Sequence, residues 1–230
     1  MKRLLLLIAC VGCNAHVPGT NSLTLRPIPG RALSGTEGQS IVVTPVMYIR
    51  QNDPPLYWGR AIDRPRDYMR HTDTLIETAL TQRAPHAHFV FAAEIERQRV
   101  RNPGYIADPY ALSGAQLLPA VHRPGNPIQE PLASELRTLV NFQESARYVL
   151  IPVEIHFTNG ADADPNNKKP PPPPPPGTVV TAQPVLRVVL YDARATMVLW
   201  QGDVVGDPTQ SPNGAMESVA RYLGDRLGTP

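Results

Sequence analysis

Apolar positions along the chain recur with two periods, and the elements follow from them. Tyr68, Thr72, Leu75, Ile76, Ala79 and Leu80 stand three and four residues apart, which predicts a helix over 65–83. Pro65 suits its first turn, Asp63 stands ready as a cap, and Pro85 lies just past its end. Pro131 opens a second helix to about Phe142, with Leu132, Leu136, Leu139 and Val140 on one face. Met216, Val219, Ala220, Leu223 and Leu227 mark a closing helix over 214–227, with Ser211 or Asn213 placed to cap it.

Between these helices lie short, β-branched runs. Residues 41–49 form a buried strand in which Pro45 removes a ladder donor and predicts an edge or a bulge. His88 to Ile95 reads as a second strand. Ala146 to Phe157 is the strongest. Its first half is continuously apolar, as in a central strand. Its second half alternates, with Val153, Ile155 and Phe157 on one face and Glu154 and His156 on the other. Val185–Tyr191 and Met197–Val205, joined by the turn residues 192–196, predict a hairpin. Residues 97–130 read as irregular, with a short helical turn near 113–121. The order is β-α-β-α-β-β-β-α. It predicts an α+β (mixed α/β) fold: a single two-layer domain with a mixed sheet.

Composition adds a compartment. Met1-Lys2-Arg3 precedes an apolar run from Leu4 that would make a helix of only about 15 Å by residue 13, half a bilayer core. It therefore reads as a signal peptide. Both cysteines, Cys10 and Cys13, lie in it. Leu7-Ile8-Ala9-Cys10 resembles the bacterial lipobox, while Cys13 leaves a leader of more ordinary length. Cys13 is the preferred lipidation site and Cys10 the alternative. Residues 1–13 are thus expected to be a lipoprotein signal peptide, 14–38 a flexible linker, and 39–230 the domain, with a proline-rich loop at 158–178. Asn14 is not the aspartate that marks inner-membrane retention in enteric bacteria. The expected place is the periplasm-facing side of a Gram-negative outer membrane, with the membrane reached through the lipid.

Charge excludes one class of partner. The 22 basic and 20 acidic residues leave a net charge of +2, which argues against a nucleic-acid binder. Proline, at 27 residues, is the compositional outlier, and Pro170–Pro176 is unbroken. Such a run is a stiff rod, either a spacer or a docking segment for an aromatic groove.

Catalytic chemistry finds little support. His86 and His88 share a strand face and either hold a metal or lie at the surface. Glu154 and His156 read either as an acid–base pair or as the solvated face of a half-buried strand. Asp162 and Asp164 lack the spaced ligands of a calcium loop. No phosphate loop, dinucleotide fingerprint or nucleophile elbow is present. The expectation is a non-enzyme without metal or cofactor. Tyr57, Trp58, Tyr105 and Tyr110 stand in proline-rich stretches as candidate partner contacts.

Ala146-Arg147-Tyr148-Val149-Leu150-Ile151-Pro152-Val153 resembles the alanine–aspartate–tyrosine strand of periplasmic lipoproteins related to CsgG and LpoB. Val188 to Gly202, with Asp192 ending one strand and Trp200 on the return, is similar to their next signature. Pro45 matches their opening strand, and the likeness extends to the TolB amino-terminal domain. Arg147 stands in place of the usual aspartate, and Ala195-Thr196 lacks the usual glycine. The resemblance implies a non-catalytic envelope module that binds a protein partner in assembly. The alternative is a periplasmic module for a small molecule or peptidoglycan.

Overall fold

The computed structural model describes residues 26–50, 62–118, 122–158 and 181–228. Cys10, Cys13, Tyr57, Trp58 and the proline run lie outside them. Strands β1 (Ser40–Val43) and β2 (Tyr48–Ile49) come first, then helix α1 (Pro65–Arg83) and strand β3 (His88–Phe91). Helix α2 (Ala92–Arg101), a 3₁₀ turn (Gly114–Leu117) and helix α3 (Leu132–Asn141) follow. The chain closes with β4 (Ala146–Thr158), β5 (Gln183–Asp192), β6 (Met197–Val205) and α4 (Ala215–Gly228).

The sheet runs β3-β1-β4-β5-β6, with β2 continuing the line of β1 along β4. β1 is parallel to both neighbours, while β4, β5 and β6 are mutually antiparallel. This is the mixed α+β fold that the pattern predicts. The helices, however, divide between the two faces, giving three layers instead of two. Ile76 and Leu80 of α1 join Val219 and Leu223 of α4 on one face, against Ile41, Leu150 and Leu190. Ile95 of α2 and Leu132, Leu136 and Leu139 of α3 cover the other, against Val42, Val149 and Val189. Strands buried on both faces carry long apolar runs, which is why β4 up to Val153 and β5 outside Arg187 show no simple alternation.

Two boundaries and one helix cap differ from the sequence reading. The run 41–49 divides at Pro45, which cannot donate to a ladder; pairing resumes with Met47 N–H to the Pro152 carbonyl at 3.1 Å. The strand from His88 ends at Phe91, because Ala92-Ala93-Glu94-Ile95-Glu96 favours helix and only Ile95 needs a core. Helix α1 spans the expected 65–83 with Pro65 in the first turn, but Asp63 does not cap it: Arg64 is the N-cap residue and no side-chain cap forms.

The second half of the supposed linker belongs to the domain. Ile28, Ala32 and Leu33 are buried among α1, α4 and β6 residues. Trp200 Nε1 donates to the Ala32 carbonyl at 2.6 Å, and the Tyr148 hydroxyl donates to that of Gly35 at 3.0 Å. Gly202 makes room for the crossing: a Cβ there would lie 2.8–2.9 Å from Ile28. The prolines and glycines of 26–38 thus shape a strap that covers the β6 edge.

Candidate functional site

The polar residues singled out on β4 form a structural row, not an acid–base pair. Pro152 lacks an N–H, and a β-bulge between Pro152 and Glu154 absorbs the gap, with Val153 as the extra residue. Val153 therefore packs with α2 and α3, while Ile155 and Phe157 face α1 and α4. The expected common face of these three does not form, and Glu154 and His156 turn inward.

Glu154 is opposite Arg187 of β5, and Arg187 is opposite Asp203 of β6. Arg50, just past β2, donates Nε to Glu154 Oε1 at 3.0 Å. Four side chains of alternating sign thus cross the sheet. Arg187 is 2% exposed, with its Nη1 3.8 Å from Glu154 and its Nε 3.4 Å from Asp203. Burial raises the Asp203 carboxyl above its ordinary range, against the pull of Arg187. His156 is buried with Nδ1 unpaired among the described residues. Burial, reinforced by Arg50 and Arg187, pushes its pKa down to about 3 and keeps the ring neutral. Neither group faces solvent, so the solvated-face reading fails as well.

His88 is exposed and pairs its Nδ1 with the Ser40 hydroxyl at 2.7 Å. Among the described residues no three His, Cys, Asp or Glu side chains gather around one point. Tyr105 is 71% exposed and Tyr110 52%. The two part company: Tyr110 lines a crevice and Tyr105 does not.

That crevice, about 400 Å³, opens at the carboxyl ends of β1 and β3. From β1 the chain runs on along β4 as β2, and α1 later packs on one face; from β3 the chain enters α2 on the other. Helices α1 and α2 lie on opposite faces of the sheet beside these strand ends, and the crevice lies between them. Thr44 and Pro45 line it from β1, Arg70, Asp73 and Glu77 from α1, and Ala92 and Ala93 from α2.

The strand break at Pro45 sets its chemistry. The freed Val46 N–H donates to Asp73 Oδ1 at 2.7 Å. Asp73 is half-buried, and burial pushes its pKa up to about 6. Thr44, 2% exposed, has an Oγ1 without a hydrogen-bond partner among the described residues. Helix α2 begins at the crevice with no side-chain cap on its first N–H groups. Sequence reasoning picked out Tyr110 but not Asp73 or Thr44. The only available signal was a carboxylate within the apolar helical stripe and a threonine beside the strand-breaking proline.

No family model matches this chain, and no curated protein matches it. Among solved structures, a PelC dodecamer from Paraburkholderia phytofirmans aligns at 13% identity and TM-score 0.32, covering 90% of this chain and 95% of that one. A point variant of the same protein aligns at 12% identity and TM-score 0.33, over 84% and 91% respectively. At that identity and score the likeness assigns this chain no ligand or partner.

Two substitutions test the site's physics. Arg187→Met leaves two buried carboxylates short of their shared cation, and its expected cost is about 3–5 kcal/mol in urea unfolding. Asp73 has the opposite sign. Its folded pKa lies above the unfolded 3.8, so its ionisation opposes folding as pH rises from about 4 to 6. Asp73→Asn keeps the acceptor for Val46 and is expected to raise stability at pH 7.5 by about 1–3 kcal/mol. His156 acts in the other direction, losing stability as pH falls below 6.5. With Asp73 gone, acid destabilisation between pH 6 and 4 should therefore steepen, as read by melting temperature against pH.

Proposed function

We propose that this chain is a non-catalytic binding module of the bacterial envelope that takes a small polar ligand in the crevice at the ends of β1 and β3. The carrying observation is the buried Thr44 hydroxyl, without a partner among the described residues, beside the half-buried Asp73 carboxyl. Both are polar groups withdrawn from water without a full set of partners, which a bound polar ligand would complete. The leader and its cysteines support attachment to the outer membrane through a lipid on Cys13, or alternatively Cys10. The resemblance to CsgG- and LpoB-like lipoproteins supports the same compartment.

The test compares wild type with Ala93→Trp, which places an indole at the mouth of the crevice from an exposed position. A thermal-shift panel of amino acids, sugars and small peptides should contain compounds that stabilise wild type and not the variant. A panel in which none discriminates between them refutes the reading. For the anchor, intact mass from membranes should show diacylglycerol and acyl additions that Cys13→Ala abolishes; loss with Cys10→Ala alone would move the anchor to Cys10.

A second reading, an accessory module docked on an envelope protein, is favoured by a different surface. Val100 and Tyr105 are 71% exposed and Phe142 is 41% exposed. The segments bearing Val100 and Phe142 are tied together by reciprocal side-chain hydrogen bonds between Gln98 and Gln143 at 2.6–3.1 Å. Apolar side chains held in water on a fixed frame suit protein contact.

A further inference from the structure

The α1 wall of the crevice carries the carboxylates of Asp73 and Glu77 with the Arg70 guanidinium beside them, and the opposite wall carries the N-terminal end of α2. On the α1 wall, Asp73 Oδ1 is occupied by the Val46 N–H; among the described residues, Oδ2 accepts nothing. Glu77 stands one helical turn further along the same wall. On the other wall, α2 begins at Ala92 with uncapped N–H groups, which favour an anion. Ala92 and Ala93 carry no bulk that would hold a ligand off that helix end. Thr44 contributes an Oγ1 with no partner among the described residues, able to donate or accept.

A simple anion would meet α2 favourably but face Asp73 and Glu77. A simple cation would meet Asp73 but leave the helix end unused. A ligand with both charges a bond or two apart satisfies the two walls together. We infer that the crevice binds a small ligand bearing an ammonium and a carboxylate on one carbon, an α-amino acid or a close analogue. The ammonium sits against Asp73 Oδ2, the carboxylate at the N-terminal end of α2, and Thr44 Oγ1 bonds to one of them. At about 400 Å³ the space lies at the small end of ligand pockets. This rests on the crevice being the working site, and it names the chemistry that the site reads.

Calorimetry and thermal shift on the mature chain, with L-alanine, L-alaninamide and N-acetyl-L-alanine as probes, test it. Alanine should bind at least tenfold more tightly than either singly charged analogue. Thr44→Val should weaken alanine severalfold while the variant stays folded. Asp73→Asn, expected to be the more stable protein, should abolish the preference for alanine over N-acetylalanine. Affinity for alanine in wild type should also fall as pH drops through about 6, where Asp73 takes a proton. The charged and titratable groups that line the crevice with Asp73 are Arg70 and Glu77 on α1 and Tyr110 on the loop; Glu94 stands in the first turn of α2. The β1 wall supplies none.

Equal binding of alanine and N-acetylalanine overturns the inference, as does alanine binding that Asp73→Asn leaves intact. So does failure of all three probes. If a sugar or peptide still distinguishes wild type from Ala93→Trp, the crevice remains the binding site and only the ligand class falls.

Discussion

A proline in the middle of the longest strand organises this molecule. Pro152 stands in β4, the strand that pairs with β1, β2 and β5 and is buried on both faces. Its missing N–H would leave a hole in the ladder, and the bulge at Val153 absorbs it. The bulge reverses which face each later residue meets. Ile155 and Phe157 reach the core under α1 and α4, and Glu154 and His156 are buried. A carboxylate brought into the interior needs counter-charges. Arg50 and Arg187 provide them, and Asp203 balances the second arginine.

A second proline does comparable work on the neighbouring strand. Pro45 ends β1 just where β3 gives way to α2, so the sheet has an open corner instead of a continuous edge. The amide freed at Val46 recruits Asp73. In the row across β4, β5 and β6, every buried carboxylate has a cation within 4 Å. The carboxylate at the corner has a backbone amide and an exposed Arg70 on its own helix, and burial dominates its ionisation. One molecule thus treats buried charge in two ways, compensated in the interior and under-compensated at the crevice.

This contrast explains which features were legible in the sequence. Helical stripes such as Met216 to Leu227 and the strand cores could be read directly, because burial on a helix face or in a sheet leaves a period. The α2 boundary failed because Ala92 and Ala93 suit either state until a core residue decides, and Ile95 decides by meeting α3 residues far along the chain. The strap at 26–38 failed because prolines and glycines look alike in a linker and in a segment that turns while packed. Ile28 and Leu33 were its only apolar signal. The third layer failed because element order does not state which face each crossover takes. The charge row was hidden by the third layer: with one face of the sheet expected in solvent, Glu154 and His156 read as outside, whereas helices cover both faces.

The site was the least legible part, and the reason is physical. A fold is written in many residues that share one periodicity, whereas a binding crevice is written in a few that break it. Asp73 sits in a helix whose other inward positions are apolar or hydroxylic, and burial disfavours its charged form there, so keeping a carboxyl at this position costs stability at neutral pH. Asparagine would serve Val46 equally well as an acceptor, so the backbone bond alone does not account for an ionisable group. The Thr44 hydroxyl, unpaired among the described residues, has the same character: valine would fill that volume without stranding an oxygen. Two neighbouring positions that each sacrifice stability, at the one corner where the sheet opens, are what a site preorganised for a polar ligand looks like before the ligand arrives.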